Sequence, residues 1–321
     1  MPHRYSNSPP LPPVDPLTGA AVAVALVAIS SSGPLIAYAA APALAVAFWR
    51  NAGALALLGP FSLVRRRAEL RRLFGAAGRR AGWYAVLAGL ALAVHFGTWT
   101  PSAQLTSVAA AIALVATQPV WQGLIALGQG RRLPRRAWLG IGLAVAGAAL
   151  VTGADLGTSG RAVLGDLLAL VGGMAAAVYT AFGERVRSTA STATYTTVCY
   201  GVCAVLLLAV CLVAGVRLTG FGASAWVAIL GLVLGAQLLG HSMLNYALHR
   251  ISATTVSVLI LLEVPGAALI AWVWLGQVPR PAALPGLVLL LAGVAVVVRS
   301  GAVGRRTTPV TAPAETAPLP D

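Results

Sequence analysis

Ten times between residues 17 and 299 the chain runs for about 17 to 24 residues with almost no charge before a polar or glycine- and proline-containing break interrupts it. A helix of that length, rising about 1.5 Å per residue, crosses roughly 30 Å of hydrocarbon. Strands of a membrane barrel are nearer 10 residues long and alternate polar with apolar positions; these runs do not alternate. In lipid every backbone N–H and C=O must find its partner within the protein, which leaves a bundle of helices. Charged residues make up 9% of the chain, against about 25% in soluble domains, too few to clothe a water-facing surface.

The ten runs cover residues 17–40, 43–64, 82–100, 104–127, 137–153, 163–183, 194–215, 224–247, 252–275 and 282–299, and are numbered spans 1 to 10. All 22 basic residues are arginines. With the N-terminus on the cytoplasmic side, eighteen of them fall in cytoplasmic loops or tails; Arg161, Arg217 and Arg280 fall outside, and Arg50 lies within span 2. That asymmetry places both termini in the cytoplasm. It also reads the net charge of +14 as a topology signal rather than a nucleic-acid footprint. The polar, proline-rich start (1–16) and the Thr/Pro/Ala-rich end (300–321) are expected to be disordered cytoplasmic tails.

The two halves repeat. At a constant offset of 146 residues, Gly89 matches Gly235, His95 matches His241 and Pro119 matches Pro265; Gly130, Gly140 and Gly147 match Gly276, Gly286 and Gly293. A repeat of five spans sets its second copy upside down, so residues 17–153 and 163–299 are expected to be two inverted five-helix units. Small residues such as Gly231 and Gly235, or Gly140 and Gly147, let helix backbones approach closely.

On these residues the chain resembles the drug/metabolite transporter superfamily, EamA type. The first repeat carries Pro42 and AFWR ending at Arg50, then WTPSAQLTSVAAAIALVATQP ending at Pro119. The second carries GDLLALVGGMAAAVYTAFGERVR from Gly165 and NYALHRISATTVSVLILLEVP from Asn245, and GIGLAVAG and GLVLLLAG close the two halves. Relatives often have Gly-Glu after spans 4 and 9, where this chain has Gly130-Arg131 and Gly276-Gln277, and Val264 separates Glu263 from Pro265. The resemblance implies an all-α membrane protein of ten helices that exports small metabolites or drugs, often against protons.

Few polar groups lie within the spans. Glu263 is the acidic residue deepest in one, and an isolated carboxylate there costs at least about 2.5 kcal/mol, so it is a candidate proton carrier or partner for a cationic cargo; the alternative is a structural hydrogen bond to a neighbouring helix. His95 and His241 are repeat-related and suit a proton relay or a hydrogen bond in the core. Arg50 either snorkels to the outer headgroups, pairs with a carboxylate such as Glu263 or Asp166, or holds an anionic substrate. In span 1, Ser30, Ser31 and Ser32 precede Gly33 and Pro34; a break there exposes backbone acceptors beside hydroxyls, as in many transporter sites, unless the serines satisfy the backbone locally. Pro119 and Pro265 are expected to loosen spans 4 and 9 at matched depths, freeing the carbonyls of Val115 and Leu261, with Gln118 adding polarity beside the first. Trp99 and Tyr179 either line a cavity or anchor at the interface.

Cys199, Cys203 and Cys211 all lie in span 7, in neither a disulfide nor a metal pattern, and read as small apolar packing residues. No phosphate-binding loop, HExxH, carboxylate pair or nucleophile elbow occurs. The expectation is therefore a secondary transporter and not an enzyme, without cofactor, metal or nucleic acid. It should work by alternating access on a site lined by spans 1, 3, 4, 6, 8 and 9, in the cytoplasmic membrane, with lipids, a small-molecule cargo and protons as partners. The alternatives are a non-transporting membrane scaffold or a lipid scramblase.

Overall fold

The computed structural model describes residues 15–106, 108–153, 160–276, 278 and 281–300. The expected tails lie outside the described residues, apart from Asp15, Pro16 and Ser300. All regular structure among the described residues is helical.

Span 1 is two helices, α1 (Pro16–Ser30) and α2 (Ser32–Tyr38). Asp15 caps α1 through the Thr18 N–H, and Pro16 begins the helix, where a missing N–H costs nothing. Span 2 is α3 (Ala43–Arg65), followed by the short arginine-rich α4 (Arg67–Phe74). Span 3 is α5 (Arg79–Leu105), and span 4 is split into α6 (Val108–Val115) and α7 (Gln118–Gly128). Span 5 is α8 (Arg135–Gly153), span 6 α9 (Gly160–Val186) and span 7 α10 (Thr192–Val213). Span 8 runs through α11 (Ala223–Gly231), a π-helix (Leu232–His241) and α12 (Ser242–Ala247). Span 9 is split into α13 (Ala253–Ile260) and α14 (Glu263–Leu275), and span 10 is α15 (Leu284–Arg299). Among the described residues, eight spans are long and apolar enough to cross a bilayer by length and composition alone. Span 5, with 19 residues, and span 10, with 16, complete the ten.

Those two shortest spans pack on each other through the repeat-related glycines. A Cβ on Gly147 would come within 2.6 Å of the Gly286 carbonyl oxygen, and one on Gly140 within 2.7 Å of that of Gly293. As the number rises along α8 it falls along α15, so the helices are antiparallel. Each glycine meets the repeat counterpart of the other glycine on its own helix. The turns after spans 4 and 9 also correspond, with Gly130 at φ 76° and Gly276 at φ 67°, a left-handed conformation that glycine adopts without penalty.

The breaks fall a few residues before the prolines expected to cause them. Span 4 opens at Ala116–Thr117 and Pro119 sits in the first turn of α7; span 9 opens at Leu261–Leu262 and Pro265 sits in the first turn of α14. Proline lacks only an N–H that a first turn cannot use, so it starts the second half-helix rather than sitting at the gap. The carbonyl of Leu261, expected to be free, accepts the Val264 N–H at 3.2 Å. The Val115 carbonyl faces Gly173 of span 6, where a Cβ would come within 2.9 Å of it. In span 1 the break is at Ser31, three residues before Pro34.

Candidate functional site

The three serines of span 1 divide by role. Ser30 donates to the Leu26 carbonyl at 2.7 Å and Ser31 to that of Ala28 at 2.7 Å, so both satisfy their own helix. Ser31 does not line the cavity described below. Ser32, first residue of α2, turns the other way and accepts a hydrogen bond from Nη1 of Arg50 at 3.3 Å.

Arg50 is fully buried and does not reach the outer headgroups. Its Nε donates to Oε1 of Gln237 at 2.9 Å, and its guanidinium carbon lies 4.0 Å from the centroid of the Phe96 ring. Gln237 in turn donates to Oδ1 of Asn51 at 3.1 Å. Neither Glu263 nor Asp166 forms an ion pair with Arg50; the ion pairs among the described residues are Arg66–Glu69 and Arg131–Glu184. The charge is spread over a planar ring face, one amide oxygen and a serine hydroxyl, as suits a weakly hydrated guanidinium. Gln237 lies in the π-helix, whose wider turn closes with the Ser242 N–H on the Gln237 carbonyl, five residues back. The Ser242 and Tyr200 hydroxyls converge on that same carbonyl at 3.2 and 3.4 Å. Wide turns of this kind are frequent at functional sites.

On the other side of Phe96 lies a cavity of about 590 Å³, part of it open to solvent. It is walled by spans 1, 3, 4, 6, 8 and 9, the six expected from the repeat, three from each half. Of the residues singled out in the sequence, Ser32, His95, Trp99, Gln118, Tyr179, His241 and Glu263 line it. Arg50 and Ser31 stand behind the wall, and Pro34, Pro119 and Pro265 shape the helices that carry the lining.

The repeat-related histidines meet here, their ring centroids 6.2 Å apart. His95 places Nδ1 2.9 Å from the Gly172 carbonyl and stacks on Trp99, with centroids 5.9 Å apart and planes 2° from parallel. His241 stands edge-on to Phe96 at 5.2 Å and 6.2 Å from Tyr179. Tyr179 is hydrogen-bonded to Asn245, its hydroxyl 2.9 Å from Oδ1. Gln118 donates to the Thr180 hydroxyl at 3.1 Å. Gln118 and Glu263 occupy matching places, each the first residue of the half-helix beyond a break. The positive end of the α14 dipole lies under the carboxylate and makes its presence in mid-span less costly. Glu263 has no hydrogen-bond or ion-pair partner among the described residues.

Asn245, Thr180 and Gln237 were not singled out in the sequence. Asn245 had a signal, since it lies 146 residues after Trp99 and shares its wall with that residue. Arg131 grips Glu184 with two bonds of 3.1 Å, tying the loop after span 4 to the end of span 6. Among the described residues no group of three or more His, Cys, Asp or Glu side chains is arranged to hold a metal ion.

Residues 17–153 and 163–299 each match the EamA-like transporter family. The chain is a member of that family. It is thus a multi-pass membrane protein with two EamA repeats, of a family of transporters rather than enzymes. A solved crystal structure, titled only as that of a protein, matches 88% of this chain and 96% of its own, with a TM-score of 0.71 at 19% identity, a likeness of fold alone. No curated protein matches the chain.

Proposed function

We propose that this EamA-family member exports a small organic molecule across the cytoplasmic membrane by alternating access, with both termini in the cytoplasm. The observation that carries the reading is the cavity shared equally between the repeats and ending on an unpaired carboxylate at a half-helix N-terminus. A scaffold has no use for that arrangement, which raises the cost of every span that contributes to it. The antiparallel crossing of repeat-related spans 5 and 10 supports an inverted relation between the halves, and rocking of one half against the other opens the cavity to either side. Cargo drives the change of state through its different affinity for the two arrangements.

Glu263 is the ionisable group through which transport couples to protons. The groups that face it across the cavity or act on its charge are His95, His241, Tyr179 and, from behind the wall, Arg50. Flux measured in proteoliposomes for amino acids, sugars, nucleosides and cationic drugs, with and without an imposed pH gradient, tests the reading. At least one class should move, faster with the gradient, and Glu263→Gln should remove the dependence on the gradient. No flux of any class under either condition would refute it.

A further inference from the structure

We infer that the cargo is a protonated amine or amidine carried on an apolar, flat-sided body. The inference rests on the proposed transport function and is drawn from which hydrogen-bonding groups of the cavity are spent and which are open. The Gly172 carbonyl can only accept, so the proton of neutral His95 sits on Nδ1, and Nε2 is left as an acceptor. One amide proton of Gln118 is spent on Thr180, whose own hydroxyl proton is spent on the Ala176 carbonyl at 2.7 Å, which leaves Oε1 of Gln118 open as an acceptor. Glu263 offers two acceptor oxygens with no partner among the described residues. Beside these acceptors stand four donors, none of them charged: the buried indole N–H of Trp99, which has no partner among the described residues, the hydroxyl proton of Ser32, the second amide N–H of Gln118 and the one N–H of neutral His241.

Charge points the same way. Glu263 is the one acidic side chain among the described lining residues, which include no arginine or lysine. Arg50 does not line the cavity; its guanidinium lies over the Phe96 ring and is held through Nε by Gln237 and through Nη1 by Ser32, with Nη2 buried and without a partner among the described residues. An anion entering the cavity would meet a carboxylate, and a neutral cargo would leave that carboxylate buried without a partner, which is costly. A cation with N–H donors satisfies Glu263 and the two neutral acceptors together. Much of the remaining wall is apolar, including Val115, Leu244, Leu248 and Ile260. The stacked rings of His95 and Trp99 offer a flat face for an aromatic or cationic surface.

The test is equilibrium binding to the purified full-length protein at neutral pH, by calorimetry, of four probes of one shape: phenethylamine, its N-trimethyl derivative, phenethyl alcohol and phenylpropionate. Phenethylamine should bind about tenfold or more tighter than the alcohol and the trimethyl derivative, and phenylpropionate most weakly. Glu263→Gln, nearly isosteric, should erase the preference for amine over alcohol. The comparison among probes on the unaltered protein stands even if that variant folds poorly. Equal or tighter binding of the alcohol or the acid, a preference that survives Glu263→Gln, or no binding of any probe at millimolar concentration would overturn the inference. Flux of the same probes in proteoliposomes separates the two claims. Selective binding of the amine without movement would leave the recognition standing and remove the transport. Movement of the acid or the alcohol without amine selectivity would do the reverse.

Discussion

Spans 5 and 10 touch through backbone, and a single methyl group should part them. A Cβ on Gly147 would lie 2.6 Å from the Gly286 carbonyl oxygen, and one on Gly293 2.6 Å from that of Gly140. Carbon and carbonyl oxygen ordinarily approach no closer than about 3.3 Å, so the helices must separate by roughly 0.7 Å. A gap of that size forfeits about a quarter to a half of each contact along the crossing, and overpacking of this kind costs about 1–3 kcal/mol. Gly147→Ala and Gly293→Ala should therefore each destabilise the protein by about 2 kcal/mol, a fall in melting temperature of roughly 3 °C for a chain of 321 residues. The buried thiols of Cys199, Cys203 and Cys211 supply the readout, since a thiol-reactive fluorophore lights up as heat exposes them. Gly142→Ala is the control, because a Cβ there meets nothing within 4 Å. The double variant should cost less than the sum of the two, since the first methyl already opens the gap that the second needs. Melting of either single variant together with Gly142→Ala would refute the close crossing.

Glu69, on the short α4 between spans 2 and 3, accepts hydrogen bonds from the backbone N–H and the hydroxyl of Ser191. Burial pushes its carboxyl up, but those bonds outweigh it and hold the group below the ordinary carboxylate value. The contact therefore stabilises the protein above the unfolded carboxylate range and is lost as pH falls through the depressed folded value. Glu69→Gln should lower stability by about 1–2 kcal/mol at neutral pH, with the difference from the unaltered protein vanishing in acid in the same thermal assay. Arg131→Ala strands Glu184, whose side chain is only 7% exposed; about 1–3 kcal/mol should be lost, and Glu184→Gln in the same chain should restore part of it. Gly130→Ala and Gly276→Ala should each cost about 1 kcal/mol from the left-handed backbone alone, and similar losses at both would bear on the equivalence of the two turns.

Much of this architecture is written in spacing. The 146-residue diagonal brings His95 to His241, sets the breaks of spans 4 and 9 at equivalent depths and aligns the two left-handed glycines, because one local pattern folds the same way twice. The six spans that wall the cavity follow from the same count. What spacing does not carry is where one half departs from the other. The π-helix of span 8 has no α-helical flaw in its sequence, and span 3, its repeat counterpart, is a regular helix through His95. Its cause is tertiary, in the convergence of Tyr200 and Ser242 on one carbonyl. Arg50 likewise looked equally suited to headgroups, a carboxylate or an anion. Its partners proved to be a ring and an amide on distant spans, and no local rule pairs a guanidinium with a glutamine 187 residues away.

That separation has a consequence for how the protein is made. At about 5–20 residues per second, Gln237 leaves the ribosome on the order of ten to forty seconds after Arg50. Throughout that interval span 2 carries a permanent charge that costs a lone helix about 2.5–3.5 kcal/mol near mid-membrane. The early half must therefore be chaperoned by the insertion machinery, or lie shallow, until the late half arrives to quench the charge. Biogenesis of the two repeats is thereby coupled, and a nascent chain halted before span 8 would hold an arginine answered by Ser32 and Phe96 but still lacking its amide partner.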